Sequence, residues 1–266
     1  MILDTISFAA EEGGGGVQFP PIENLVEWPT WFGGEEWYAF NKIAFIFVFA
    51  VVATSVLFLL ARKGSLVPKG VQNLIESTVA FIQNGVILQA IGADGMRYLP
   101  FLTSIFFFVF IGNLFEIIPF FHMPANARMA APALLAIVTW AFFISVGVKA
   151  HGPWSYFKGA LFPPGVPKPL YVLVTPIEFI STFLVRPFSL AVRLFANMLA
   201  GHILLVTFSV LCITLWGLSL LLLALPFSYF MLVALTAFEL MVAFLQAYIF
   251  TILAAVYIGG ALHPEH

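Results

Sequence analysis

Arg193 lies near the middle of a long apolar stretch, residues 171 to 210. A guanidinium group at the centre of a membrane helix costs about 2.5 to 3.5 kcal/mol on insertion scales, so it needs a partner or a task. Asn197 follows one helical turn later and shares its face. His202 lies nine positions beyond Arg193 and about half a turn around the helix, so it faces a different neighbour. This pattern indicates ion handling.

A second long apolar stretch, residues 226 to 260, carries Glu239 and Gln246. Because they are seven positions apart, they share one face of a helix. Apolar surroundings penalise the ionised form of a carboxyl group, which makes proton exchange possible near neutral pH. We therefore expect this face to carry protons.

Three further ionisable residues lie within the apolar stretches of the sequence. Glu116 lies just before Pro119, and Glu178 precedes Arg193 by 15 positions. Arg186 stands beside Pro187, and we interpret it as an interfacial cation whose long side chain reaches polar surroundings.

A purely structural interpretation is the main alternative for these polar residues. A buried amide often joins helices, and His202 could simply pair with Glu239. A central arginine together with several carboxyl groups, a histidine and two amides favours a transport pathway instead. The one cysteine, Cys212, excludes an internal disulfide and any multi-cysteine metal site, and it is interpreted as a packed thiol. We predict no metal and no cofactor.

The composition is that of a membrane protein. Of the 266 residues, 62% are hydrophobic and 9% are charged, against roughly 25% charged in soluble domains. The net charge of -2 and the lack of a basic tract give no support for nucleic-acid binding. The high hydrophobic fraction and the low charged fraction exclude a soluble enzyme.

The apolar runs predict an all-α polytopic fold with five membrane helices. A bilayer core needs roughly 20 apolar residues per helix. The two longest runs would make helices of roughly 60 and 52 Å at 1.5 Å per residue, so each must either split in two or lie steeply tilted. No loop-like cluster interrupts either run, which favours two long tilted helices. The predicted spans are 42–61, 99–120, 130–149, 171–210 and 226–260.

Residues 71–90 have a different pattern. Apolar residues recur at helical spacing opposite Gln72, Asn73, Glu76, Gln83 and Asn84, which predicts an amphipathic helix lying on the membrane surface.

Basic residues are concentrated in the loops after the first and third spans. Since cytoplasmic loops are enriched in Lys and Arg, these loops are expected in the cytoplasm, with the N-terminus outside and the C-terminus inside. The seven basic residues are Arg62, Lys63, Lys69, Arg97, Lys149, Lys158 and Lys168; the opposite side has Lys42 and Arg128.

Residues 1–41 are predicted to be an acidic, outward-facing N-terminal arm. They hold seven acidic residues and no Lys or Arg, the opposite of a secretory or mitochondrial targeting segment. The remaining residues, 42–266, are predicted to form one membrane domain. Trp28, Trp31, Trp37 and Tyr38 are interpreted as an aromatic belt.

Three segments of the chain resemble a known family. RPFSLAVRLFANMLAGH (Arg186 to His202), FELMVAFLQAYIFTIL (Phe238 to Leu253) and GNLFEIIP (Gly112 to Pro119) are similar to subunit a of the F-type ATP synthase. That resemblance implies a stator subunit, not catalytic by itself, whose two tilted helices contact a rotating ring of c subunits. It also implies b subunits of the peripheral stalk and the rest of the complex as partners. The charged N-terminal arm, which is unlike a presequence, favours a bacterial plasma membrane; an organelle-encoded copy, which would also lack a presequence, is the alternative.

The resemblance also implies roles for individual residues. Arg193 becomes the arginine that faces the ion-binding carboxylates of the ring, supported by Asn197 and Gln246. His202 and Glu239 become the proton relay of an outer half-channel. Some relatives carry a glutamate where this chain has His202 and a histidine where it has Glu239, so the pair here retains one acid and one imidazole.

The same comparison implies that Glu116 lies near the outer entrance and that Glu178 lies at an inner half-channel. Protons would enter one half-channel, neutralise a ring carboxylate, and leave through the other after nearly a full rotation. Each elementary charge that crosses releases about 2.3 kcal/mol per 100 mV.

Two other classes of membrane protein fit the sequence less well. A secondary ion transporter with its own midplane site would be expected to show inverted repeats and broken helices, and the sequence shows neither. A haem protein would need two histidines on facing spans, and no two are so placed.

Overall fold

The computed structural model describes residues 42–61, 69–118, 126, 128–162, 167–216 and 221–263. The predicted arm (1–41) and its aromatic belt lie outside these residues. All regular secondary structure in the described ranges is helical, which confirms the predicted all-α class. Five helices are long and apolar enough to cross a membrane: Ile43–Leu60, Ala93–Leu114, Ala130–His151, Tyr171–Trp216 and Leu225–Leu262.

The first span is α1, Lys42–Ala61. Its outward face exposes Val48, Phe49, Val51 and Val52, as expected of a helix that contacts lipid. The amphipathic segment is α2, Val71–Ile82, which continues through a π-helical turn, Gln83–Ile87, into Leu88–Ala90.

A short 3₁₀ helix, Ala93–Tyr98, leads into α3, Leu99–Leu114. The sequence placed the end of this span near residue 120, whereas the helix ends at Leu114 and is followed by a turn. Pro119 explains why the helix does not run to residue 120, since in a helix it would offer no N–H to the Phe115 carbonyl group and its ring would clash with that group. Glu116 therefore lies beyond the helix end.

The next two helices are α4, Ala130–His151, and α5, Pro153–Leu161. Gly152 separates them with a φ of 81°, a left-handed conformation that glycine adopts without steric cost at the end of a helix. Pro153 then begins α5, because the first turn of a helix needs no backbone N–H from that residue.

The longest element is α6, Tyr171–Trp216, which is 46 residues long. Its start, Tyr171–Ile180, passes through a π-helical turn, Ser181–Val185, into the regular helix Arg186–Trp216. Pro187 lacks an N–H and clashes with the carbonyl group four residues earlier, which belongs to this turn. The wider turn lets the helix continue through the proline, so one long helix forms instead of two short ones.

The last helix, α7, runs from Leu225 to Leu262 over 38 residues and packs against α3, α4 and α6. Side chains from these helices form the main hydrophobic core, which includes Phe106, Phe143, Leu194, Phe250 and Ile258. The two long helices are thus held rigidly by the shorter ones.

The C-terminal end of α7 is fastened to two other elements. The backbone at Gly259 lies so close to Ala90 of α2 that a Cβ would come within 2.6 Å of the Ala90 carbonyl oxygen. The His151 imidazole lies 3.0 Å from the carbonyl oxygen of Leu262, and that of His263 lies 3.6 Å from Asp94.

Candidate functional site

Two contacts define how α6 and α7 lie beside each other. Glu239 of α7 lies against Gly201 of α6, and Arg186 of α6 lies over the ring of Tyr257 of α7. As residue numbers fall along α6 they rise along α7, so the helices are antiparallel. Arg193 lies between these two contacts on α6, and Gln246 lies between them on α7.

Gly201 brings the Glu239 carboxyl group directly onto the backbone of α6. A Cβ added at Gly201 would lie 2.5 Å from the carboxyl carbon and from both carboxyl oxygens. Only glycine leaves room for this approach. His202 follows Gly201 in the chain, so the imidazole and the carboxyl group belong to the same level of the helix pair.

This level is buried inside the protein. His202 and Glu239 are 5% and 3% exposed, and Glu116, from the turn after α3, is 1% exposed. The carboxyl groups of Glu116 and Glu239 are close enough to repel each other electrostatically. We call Glu116, His202 and Glu239 the acid cluster.

The acid cluster and the nearby Asn113 contain buried polar atoms that lack hydrogen-bond partners among the described residues. One carboxyl oxygen of Glu116 and one of Glu239 accept no hydrogen bond from the described residues, and the side-chain nitrogen of Asn113 donates none. Unpaired buried polar atoms cost about 1 to 3 kcal/mol each. In proteins, ordered water usually makes the missing hydrogen bonds to such atoms, and water is also the medium that a proton relay needs.

Arg193 precedes Gly201 by eight positions on α6, and its surroundings differ from those of the acid cluster. It is half-buried, and Asn197, one turn further, is exposed. Within the ranges that the structure covers, the Arg193 guanidinium group makes no hydrogen bond, ion pair or ring contact. A charge left half-buried and unpaired is costly, and the described residues supply no anion that would offset this cost.

Gln246 lies near the level of Arg193 on the neighbouring helix and is 5% exposed. Arg193 is eight positions from Gly201 and Gln246 is seven from Glu239, which corresponds to roughly 12 and 10.5 Å of helix. The two side chains therefore lie at similar heights on their helices.

Arg186 is placed differently from Arg193. Its guanidinium carbon lies 5.3 Å from the centre of the Tyr257 ring, within the range of a cation–π interaction. The sequence indicates that Arg186 is an interfacial cation but does not reveal this aromatic partner, because Tyr257 is 71 positions away in the chain.

Glu178 lies on the first segment of α6 and is half-buried. It is separated from Arg193 by the π-helical turn, which rotates the two parts of the helix relative to each other. The structure does not bring Glu178 into the acid cluster.

Sequence reasoning missed two residues near the acid cluster. Gly201 has no side chain that could take part in chemistry. Its small size is the only feature of the sequence that indicates close packing of two helices at this position. Asn126 is 4% exposed and donates a hydrogen bond of 2.6 Å to Asn113. No group of three or more His, Cys, Asp or Glu residues that could hold a metal occurs among the described residues.

Comparisons with known proteins identify the family of the chain. The family model described as ATP synthase A chain matches residues 43–259. ATP synthase subunit a of Frankia alni is 43% identical over 278 residues, covering 100% of this chain and 92% of that protein. The subunit a of Rhodococcus erythropolis is 43% identical, covering 85% and 83%, and that of Mesorhizobium japonicum is 42% identical, covering 90% and 93%.

The chain belongs to the ATP synthase A chain family. This confirms the family indicated by the three sequence segments, two of which contain Arg193 and Glu239. The five long apolar helices and the bacterial relatives together make it a multi-pass protein of a bacterial membrane that works within the ATP synthase complex. As a member of this family it is the proton-channel subunit of the membrane sector and is not an enzyme by itself.

Proposed function

We propose that Arg193 is the cation that meets the ion-binding carboxylates of a c-subunit ring, with the acid cluster serving as the proton path from the outer side. The observation that carries this proposal is the half-buried Arg193 guanidinium group without an anionic partner among the described residues. A carboxylate on a neighbouring ring would complete the site. An ion transporter with its own midplane site would instead need that partner within the chain.

The chemistry of arginine suits this task. A guanidinium group keeps its proton in proteins, so it draws each arriving carboxylate into the ionised form. The same fixed charge opposes direct proton passage between the two half-channels. A lysine, by contrast, loses its proton readily when desolvated. Asn197 and Gln246 would offer amide groups beside the arriving carboxylate.

The acid cluster supplies the outer half of the path under this proposal. Glu116 lies nearest the end of α3, and Glu239 with His202 lies deeper against α6. Protons would pass along these groups and the water between them to the level of Arg193. Glu178 is proposed for the inner half-channel, because it lies on the other side of Arg193 along α6. We place the N-terminus outside and the C-terminus in the cytoplasm.

We propose the partners that membership of the family implies. The face of α6 that carries Asn197 would contact the c-ring, and b subunits of the peripheral stalk would hold the chain against rotation. Lipid would cover the remaining apolar faces.

The test is Arg193→Lys in the assembled complex, with Arg186→Lys as the matched control. We expect Arg193→Lys to abolish ATP synthesis driven by a proton gradient in proteoliposomes, while the subunit still co-purifies with the ring of small c subunits. Arg186→Lys should retain most of the activity, since lysine keeps the charge beside Tyr257. Full coupled synthesis by Arg193→Lys would refute the proposal.

A further inference from the structure

Asn126 makes a buried hydrogen bond to Asn113, which is three positions before Glu116 of the acid cluster. The proposed proton path does not use this bond. Its side-chain nitrogen donates to the side-chain oxygen of Asn113 at 2.6 Å, and the two residues are 13 positions apart. Both are buried, at 4% and 0% exposure. A buried bond between two amides fixes which end of each amide faces which way.

Asn113 and Glu116 are neighbours on one turn of the chain. The backbone N–H of Glu116 donates to the carbonyl oxygen of Asn113 at 3.1 Å, a hydrogen bond between residues three apart. In such a turn the side chains of the two residues lie on the same side. The Asn113 amide and the Glu116 carboxyl group therefore lie on one side of the chain, without a direct hydrogen bond from the Asn113 nitrogen to Glu116.

The hydrogen bond from Asn126 determines what the Asn113 amide presents to this region. Because the Asn113 oxygen accepts from Asn126, its nitrogen must face another direction, and that nitrogen has no acceptor among the described residues. One oxygen of Glu116 is likewise unpaired. An N–H held toward a carboxyl group, directly or through one water, stabilises its ionised form.

We propose that Asn126 is a positioning residue for proton uptake: by holding the Asn113 amide, it keeps an N–H donor available to Glu116 and so helps Glu116 to release its proton inward. This inference rests on the proposed function of the acid cluster. Without Asn126 the amide is free to rotate and present its oxygen to Glu116, which favours the protonated carboxyl group and slows release.

Other charged groups near Glu116 do not replace this donor. Glu239 on α7 repels the Glu116 carboxylate, and so also favours its protonated form. His202 on α6 follows Gly201, the residue against which Glu239 lies. Arg128, two positions after Asn126, precedes α4 and is half-buried.

The test uses Asn126→Leu, which keeps the size of the side chain and removes the donor, in the complete ATP synthase. In proteoliposomes with the catalytic sector facing the bath, the lumen corresponds to the outer side. ATP synthesis is measured as the lumenal pH varies, with the external pH and the membrane potential held constant. Asn84→Leu, the same change at an exposed position on α2, is the control.

We expect Asn126→Leu to lower the maximal rate and to move the half-maximal lumenal pH upward by about 1 to 2 units, because a lost hydrogen bond to a charged group is worth about that much. Asn113→Leu should produce a shift of its own, and adding Asn126→Leu to it should produce no further shift. Asn126→Ser, which retains a donor, should restore part of the wild-type profile.

A purely structural role for Asn126 would give a different result. Loss of assembled complex lowers the maximal rate and leaves the half-maximal pH unchanged, and that outcome, or a downward shift, would overturn the inference. The two proposals fail separately. If Arg193→Lys abolishes synthesis but Asn126→Leu does not shift the profile, only the positioning role is lost; full synthesis by Arg193→Lys would remove the proton path itself.

Discussion

The α6–α7 pair carries polar groups at two levels that differ in how completely the chain surrounds them. At the acid cluster, Glu116, His202 and Glu239 are each at most 5% exposed and come from three parts of the chain. At the level of Arg193 the guanidinium group is half-buried and Asn197 is exposed. Under the proposed function the acid cluster is a passage within one chain, whereas the Arg193 level is one half of an interface.

The difference has a physical basis. Buried carboxyl groups are tolerated when protons or water neutralise and solvate them, and both can reach an enclosed passage. A guanidinium group stays charged, so it needs an anion. Placing that anion on a second, moving chain lets the ion pair form and break repeatedly, which a buried pair within one chain would not permit.

The largest expected effect is at the interface. Arg193→Ala should abolish proton-driven ATP synthesis and should also increase passive proton leakage through the membrane sector, because the fixed charge that separates the two half-channels is gone. Both are measured in vesicles, the leak after removal of the catalytic sector. A tight membrane sector with normal synthesis would contradict the comparison drawn between the two levels.

The next largest effect is expected within the acid cluster. Glu239→Gln keeps the shape of the side chain but removes its exchangeable proton, and His202→Leu removes the imidazole. Each should slow proton uptake by about 10²-fold, the lower end of what a positioned acid or base contributes, while assembly continues.

Glu76→Gln is the matched control for the acid cluster, since the Glu76 carboxyl group is exposed and hydrogen-bonded only to Gln72 in the described chain. Its flux should equal that of the wild type. Unchanged proton flux in both Glu239→Gln and His202→Leu would return these residues to a packing role.

A smaller effect is expected from the close approach of the two helices. Gly201→Ala would place a Cβ 2.5 Å from the Glu239 carboxyl group, so Glu239 must move or the helices must separate. We expect a several-fold slower flux and a loss of stability of about 1 to 3 kcal/mol, typical of overpacking. Thermal unfolding and proton flux are measured on the same preparation.

Gly260→Ala provides the control for Gly201→Ala, since a Cβ at Gly260 meets nothing within 4 Å. It should leave flux unchanged and raise stability slightly, because alanine favours helix over glycine. If both variants behaved alike, the contact between Gly201 and Glu239 would have no functional weight.

The smallest effect is expected at Arg186. Its contact with Tyr257 is worth about 0.5 to 2 kcal/mol, and losing it should change the rate of synthesis by less than about twofold. A double-mutant cycle with Arg186→Met and Tyr257→Leu measures the coupling from thermal unfolding. A loss as complete as that of Arg193→Ala would show that both arginines belong to the interface.

The fold was largely predictable because lipid imposes simple rules on sequence. Long apolar runs with few charges leave no alternative to membrane helices, and the amphipathic pattern of residues 71–90 distinguished α2 from the spans. The end of α3 at Leu114 and the π-helical turn before Pro187 were not predicted. Both precede prolines, whose effect on the backbone is not visible in apolar periodicity.

The site was predictable where a residue was costly in lipid, and not where its role is geometric. Arg193, Glu239 and His202 attract notice by their chemistry alone. Gly201 and Asn126 matter through what they touch, and those contacts join positions 38 and 13 residues apart. Which helices face each other is a tertiary property, so neither contact is readable from one stretch of sequence.

The most direct test of the half-site at Arg193 is disulfide cross-linking in the assembled complex. In a Cys212→Ser background, which removes the native cysteine, Asn197→Cys is paired with cysteines placed beside the ion-binding carboxylate of the c subunit. Ile137→Cys on α4, which is 55% exposed on another helix, is the control. We expect oxidation to join Asn197→Cys to the c subunit and to leave Ile137→Cys unlinked. If Asn197→Cys did not link to the ring, Arg193 could not meet its carboxylates, and the central claim would be wrong.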